Sequence, residues 1–190
     1  MLSGFLIAGL WSVGIELGGG FRFLPPSEIP DGKAPRLDLL VVEARRQLPH
    51  TSPLAPDRLE LQLDWTHLYF TGSGTRWPRL PLTVYGSWLV PITDHHGLAL
   101  SAGLYTELGR DSFVADEELD YGFGGTFAFA ARVGMERPRR FTHFTTVGNY
   151  LRGAAGVSFG SDPDHAAVAR YLRVGLERSW TWGARSELDR

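Results

Sequence analysis

The segment YGFGGTFAFAARVGMERP, residues 121–138, constrains the fold more than any other part of the chain. Its odd positions run Tyr121, Phe123, Gly125, Phe127, Phe129, Ala131, Val133, Met135. Its even positions run Gly122, Gly124, Thr126, Ala128, Ala130, Arg132, Gly134, Glu136. Side chains alternate across a strand, so one face is apolar and aromatic while the other is small, with one arginine near its end. The pattern recurs. LWSVGIELGGGFRF sets Trp11, Val13, Ile15 and Leu17 against Ser12, Gly14, Glu16 and Gly18. RLELQLDWTHLYF sets Leu59, Leu61, Leu63 and Trp65 against Glu60, Gln62, Asp64 and Thr66. RLPLTVYGSWLVPI, LALSAGLYTELG and AVARYLRVGLERSWTWG alternate likewise, with Glu107, Arg173 and Glu177 on the faces of small residues. Two further segments are less regular: LDLLVVEARRQL has a continuous apolar centre, and FTHFTTVGNYLRGAAGVSF has mixed faces and the length to bend.

These segments predict eight strands and no helix, joined by connections rich in Gly, Pro or Asp. Residues 1–190 read as one domain, with strands roughly between 5 and 183 and a short tail after 183. The expected fold is all-β, a single up-and-down antiparallel β-barrel of about eight strands, of the transmembrane type.

The choice of type follows from the faces. A soluble barrel turns its apolar face inward and carries Lys, Glu, Arg and Thr outside. A membrane barrel turns the apolar face to lipid and keeps polar or small residues within. Eight strands enclose only enough space for side chains to fill. The aromatics of the apolar faces would crowd that space, whereas Gly, Ala and Ser suit it. Trp11, Phe127, Phe129, Leu172 and Leu176 are therefore expected to face lipid. Arg170 and Arg178, on the apolar face of the last strand, are placed to snorkel to the two interfaces. Glu16, Asp64, Glu107, Arg132, Arg173 and Glu177 are expected to form a closed polar interior network, with glycines making room for it.

Composition narrows the function classes. The net charge of −2 offers no basic footprint for nucleic acid, and the absence of cysteine excludes disulfides and thiolate metal sites. Lys33 is the only lysine among nineteen basic residues, where a soluble surface normally spreads lysine. The longest apolar run, Phe5–Trp11, falls far short of the ~20 residues a helix needs to cross a bilayer. No export signal is evident in the chain.

Loop lengths fit a barrel with both termini in the periplasm. TDHHG and ERPRR then form short periplasmic turns, and the long acidic GRDSFVADEELD lies outside the cell. PHTSPLAPD is longer than such a turn should be. Asp94, His95 and His96 offer metal-ligand chemistry, but neighbours on a strand point to opposite faces. A polar turn, with Gly97 supplying a positive φ angle, accounts for them better. The acidic run Asp116, Glu117, Glu118 and Asp120 matches no EF-hand spacing and reads as a solvated loop. No metal and no cofactor is expected.

The whole pattern resembles small eight-stranded outer-membrane β-barrel proteins. Within it, THFTTVGN resembles the motif of the outer-membrane lipid A deacylases, in which a histidine, two residues before a serine, acts as base for that nucleophile. His143 matches the histidine, Thr145 stands at the nucleophile and Gly148 matches, while Thr146 and Val147 replace the family's asparagine and alanine. The resemblance implies ester hydrolysis by His143 and Thr145. However, the following NYLRGAAGVSFGS contains no carboxylate to orient the base. GLW at Gly9–Trp11 resembles the first lipocalin signature, which implies a soluble carrier of a small apolar ligand. The main expectation is a bacterial outer-membrane protein with a structural or accessory role and no catalytic residues. Its partner would be membrane lipid, with lipopolysaccharide a candidate; nothing in the sequence names a protein partner.

Overall fold

A computed structural model describes residues 10–23, 33–49, 51–69, 76–93, 96–110, 119–142, 145–160 and 168–183. Nine strands follow in order: β1 (Trp11–Phe23), β2 (Lys33–Gln47), β3 (Arg58–Tyr69), β4 (Arg76–Thr93), β5 (His96–Arg110), β6 (Leu119–Gly134), β7 (Arg139–Thr142), β8 (Thr145–Gly160) and β9 (Val168–Trp182). Consecutive strands from β1 to β6 pair antiparallel, β8 pairs with β6 and β9, and β9 pairs back with β1. That cycle closes a barrel of eight lanes. The four-residue β7 pairs only with the start of β8, just past the point where β6 leaves it. The segment expected as one long strand is thus divided between β7 and β8.

The faces sort as the alternation requires. Phe127, Phe129, Leu172 and Leu176 are all exposed on the outer wall, with Leu104 and Val84 beside them, and Trp11 is half-buried. Among the described residues the fully buried hydrophobics are few and mostly small, namely Val41, Tyr85, Ala99, Ala130, Tyr150 and Ala154. A carrier of apolar ligands needs the reverse arrangement.

The outer wall also carries its own limits. Phe23 pairs with Arg170 at one end of the β1–β9 ladder, and Trp11 pairs with Trp182 at the other. Near that second end the Arg178 guanidinium lies 5.6 Å from the Trp180 ring centre, and Arg46 lies 5.4 Å from that of Trp11. From Arg170 to Trp180 the strand rises ~33 Å, or ~25 Å along the axis at a ~40° tilt, which matches the apolar band of membrane barrels.

The end where β1 starts and β9 stops, here the terminal end, also holds the connections after β2, β4 and β6. Residues 51–57 fold against β4 rather than hanging free. The Asp57 amide donates to Ser87 O at 2.9 Å, and Asp57 Oδ2 accepts from the Leu89 amide at 2.9 Å. Trp88 Nε1 donates to Leu54 O at 3.3 Å. These bonds account for a connection longer than a plain turn. Gly97 differs from expectation too: it lies inside β5, paired with Pro91 and Arg132, and its backbone is not left-handed.

Candidate functional site

The interior is an ion-paired plug. Glu43 lies at its centre: Arg45 Nε donates to Glu43 Oε2 at 2.9 Å, Arg152 donates to its other oxygen, and Arg173 Nη2 lies 3.4 Å from that oxygen. Glu177 Oε1 accepts from Arg45 Nη1 at 2.6 Å and from Arg132 Nη2 at 2.8 Å. Glu16 Oε2 lies 3.3 Å from Arg152 and 3.6 Å from Arg173. Towards the other end, Arg173 Nη1 lies 3.5 Å from Asp64 Oδ2, and Gln62 Nε2 donates to both Asp64 oxygens at 2.8 and 2.9 Å. Glu16, Glu43, Arg45, Arg173 and Glu177 are each no more than 3% exposed. Charges this deep are tolerated because each has an opposite charge against it.

Two glycines make the plug possible. A Cβ on Gly175 would collide with the Glu16 carboxylate, and one on Gly14 would sit 2.8 Å from Glu177 Oε1. These small residues stand where side chains from neighbouring strands cross the lumen.

Of the residues expected in the interior, Glu16, Asp64, Arg173 and Glu177 are buried there, and Arg132 joins them from the terminal end. Glu107 contributes only its backbone, in β5 opposite Pro81 and Gly122; its side chain lies outside the described residues. His143 lies outside the described residues, as does His95, so neither the base–nucleophile pair nor the Asp94–His96 group is described. Thr145 is buried at the start of β8. No group of metal-ligating side chains occurs among the described residues.

Sequence reasoning missed Glu43, Arg45 and Arg152. In β2 the reason is a bulge. Between Asp38 and Leu40 the register shifts against β3, and the opposing shift in the β1 ladder falls between Glu16 and Gly18. One extra residue reverses the alternation. Asp38 therefore points inward, as do Val41, Glu43 and Arg45, across what reads as a continuous apolar run. In β8, Asn149 and Gly153 on the outward set and Tyr150 on the inward set blur the contrast that would have exposed Arg152.

The plug separates two spaces. The inner one, about 50 Å³, touches Asp64, Tyr85, Tyr105, Tyr171 and Arg173. The other, about 430 Å³, opens at the terminal end between Arg58, Leu89, Ala99, Ala130, Arg132 and Tyr150. Between them lies the charged layer of Glu16, Glu43, Arg45, Arg152, Arg173 and Glu177, all buried.

No protein-family model matches the sequence, and no curated protein does. Among solved structures the chain is similar to Neisserial surface protein A (NspA), with a TM-score of 0.52 and 10% identity over 92% of this chain and 98% of that one. The N-terminal β-barrel domain of Pseudomonas aeruginosa OprF aligns over 90% of this chain and 97% of that one, at 13% identity and a TM-score of 0.41. At this identity the likeness to NspA is one of fold, and it agrees with the strand pairing: the chain is a closed, eight-stranded, antiparallel up-and-down β-barrel.

Proposed function

We propose that this barrel spans the bacterial outer membrane and serves there as a structural or accessory element rather than as a pore. The observation that carries the reading is the inversion of the barrel. Apolar side chains cover the outside of the strands, while buried carboxylates and arginines fill the middle. In water such a wall would leave an apolar surface far larger than the few hundred Å² a soluble monomer normally shows. In lipid the same wall is the favoured one, and the strands satisfy one another's backbone groups without an open edge. The plug argues against free diffusion of solutes. Membrane lipid is the proposed partner. Lipopolysaccharide is a candidate through Arg170 and Arg178, because exposed guanidiniums at the edges of an apolar band suit phosphate groups.

Fractionation of cells on a sucrose gradient tests the location: the protein is expected with the outer membrane after a carbonate wash, and recovery in the aqueous extract would refute it. Conductance in planar bilayers tests the closed interior, with no stable channel expected from the intact protein. Hydrolysis of lipid A by His143 and Thr145 predicts a different result. Mass spectra of lipid A would then lose one acyl chain in the presence of the protein, and His143→Ala would restore it.

A further inference from the structure

We propose that the chamber at the terminal end is a binding site for a small organic anion, a carboxylate or phosphate head carrying a short apolar body. The inference concerns the inside of the barrel and does not depend on what surrounds its outer wall. The volume of about 430 Å³ falls among small-molecule pockets, which occupy ~300–1,000 Å³. The space at the other side of the plug, about 50 Å³, is too small for anything beyond a few waters.

Two kinds of wall meet in the chamber. On one side Leu89, Ala99 and Ala130 form a shallow apolar surface of mostly small residues. On the other stand Arg58 and Arg132, whose side chains keep 17% and 28% of their surface accessible. The carboxylates that pair with them lie beneath: Glu60 is 2% accessible and Glu177 is 1%. In these two ion pairs the guanidinium, not the carboxylate, is the member open to the chamber. Asp57 also lines the space, with its Oδ2 accepting from the Leu89 amide.

Both guanidiniums hold donors in reserve. Arg132 gives Nη2 to Glu177 and lies with its Cζ 3.4 Å from the centre of the Tyr150 ring. Arg58 gives Nε and Nη2 to Glu60 Oε1, at 2.9 and 2.6 Å. The Nη1 of each has no hydrogen-bond partner among the described residues. Arg132 also sits within repelling distance of both Arg45 and Arg58, whereas Glu177 Oε1 is shared between Arg132 and Arg45. An anion bound against Arg58 and Arg132 relieves that repulsion and uses their spare donors, a charge-assisted contact that planar guanidinium makes well.

The test uses the full chain folded in uncharged, phosphate-free detergent, titrated with hexanoate, inorganic phosphate, a short-chain phosphatidic acid, and hexanol as the neutral control. Amide chemical shifts of β5 and β6 report binding. Saturable binding of hexanoate is expected, with hexanol inert. Arg132→Gln and Arg58→Gln should each weaken binding about tenfold, and Arg132→Lys, which keeps the charge but not the planar fork, should weaken it less. Gly97→Leu supplies a variant that touches no charge: a Cβ there meets only Val90 O, at 3.5 Å, and Pro91 Cα, at 4.0 Å. Gly97 lines the chamber, so the leucine should obstruct it and markedly weaken binding even if the arginine variants fail to fold. Tighter binding of phosphatidic acid than of hexanoate would assign the site to a lipid headgroup, and the reverse to a free carboxylate. Absence of saturable binding by any anion, equal binding of hexanol, or binding unaffected by Gly97→Leu would overturn the proposal.

Discussion

The two halves of the barrel wall contribute unequally to its interior. Among the described residues, the buried carboxylates Glu16, Asp38, Glu43, Glu60, Asp64 and Glu177 come from β1, β2, β3 and β9, four adjacent strands. The facing half, β4, β5, β6 and β8, supplies Thr83, Ser87, Ser101, Thr126, Ala99, Ala130 and Ala154, two tyrosines, and the arginines Arg132 and Arg152. An eight-stranded barrel is too narrow to carry large side chains on every strand. The facing half therefore carries mostly small side chains, and its two arginines reach across to acids on the other side. Arg152 on β8 meets Glu43 on β2, and Arg132 on β6 meets Glu177 on β9. The plug is a set of bonds spanning the lumen, so stability should depend far more on its charged members than on the small polar side chains that line the rest of the facing half.

The largest expected effect follows from Glu43. Glu43→Gln leaves Arg45, Arg152 and Arg173 without their shared anion, and loss of one partner from a buried pair costs about 3–5 kcal/mol. Urea unfolding in lipid vesicles, followed by tryptophan fluorescence, would measure it. Glu16→Gln sharpens the comparison, because its contacts are longer at 3.3 and 3.6 Å and the loss should be clearly smaller. If the two variants are equally stable, the central role of Glu43 is wrong.

On the acidic strand β9, the outer face should respond to charge by depth. Leu176 lies near the middle of the band between Arg170 and Trp180, whereas Leu172 lies near its edge. Leu176→Arg should cost about 2–4 kcal/mol and Leu172→Arg less, read from the same unfolding curves. Gly175→Val comes next. It places carbon where the Glu16 carboxylate lies, and overpacking of this kind costs about 1–3 kcal/mol. Glu16→Ala in the same background should recover part of the loss, which a double-mutant cycle would detect.

The smallest effect belongs to the small polar side chains of the facing half. Ser87 and Ser101 share a hydroxyl hydrogen bond of 2.7 Å between β4 and β5. Ser87→Ala should cost about 1 kcal/mol, the ordinary net value of one such bond. A loss matching that of Glu43→Gln would abolish the distinction between the halves.

The asymmetry was partly legible in the sequence. β1, β3, β4 and β9 alternate cleanly, so which of their residues face inward could be read directly, Glu16, Asp64, Arg173 and Glu177 among them. The centre of the plug was hidden. A bulge in β2 reverses the alternation within an apolar run, and nothing local in LDLLVVEARRQL marks where the extra residue falls. Arg152 was obscured because its strand carries Asn and Gly on the outer face, where lipid contact alone would favour larger apolar groups. The position of residues 51–57 depends on Asp57 bonding to β4, a contact between distant parts of the sequence that spacing cannot reveal.

The central claim is that the barrel is inverted, with its apolar face towards lipid. The chain contains no cysteine, so single cysteines carrying a nitroxide can be placed without removing any native thiol. Val84, Leu104, Phe127 and Leu176 represent four strands of the outer wall, with Ser87 and Thr126 as inward controls. In liposomes, power-saturation EPR should find the four outer labels accessible to oxygen and shielded from a water-soluble nickel complex, with both inward labels shielded from each. Outer labels relaxed by nickel as strongly as those on a soluble protein would show that water covers this wall, and would contradict the account.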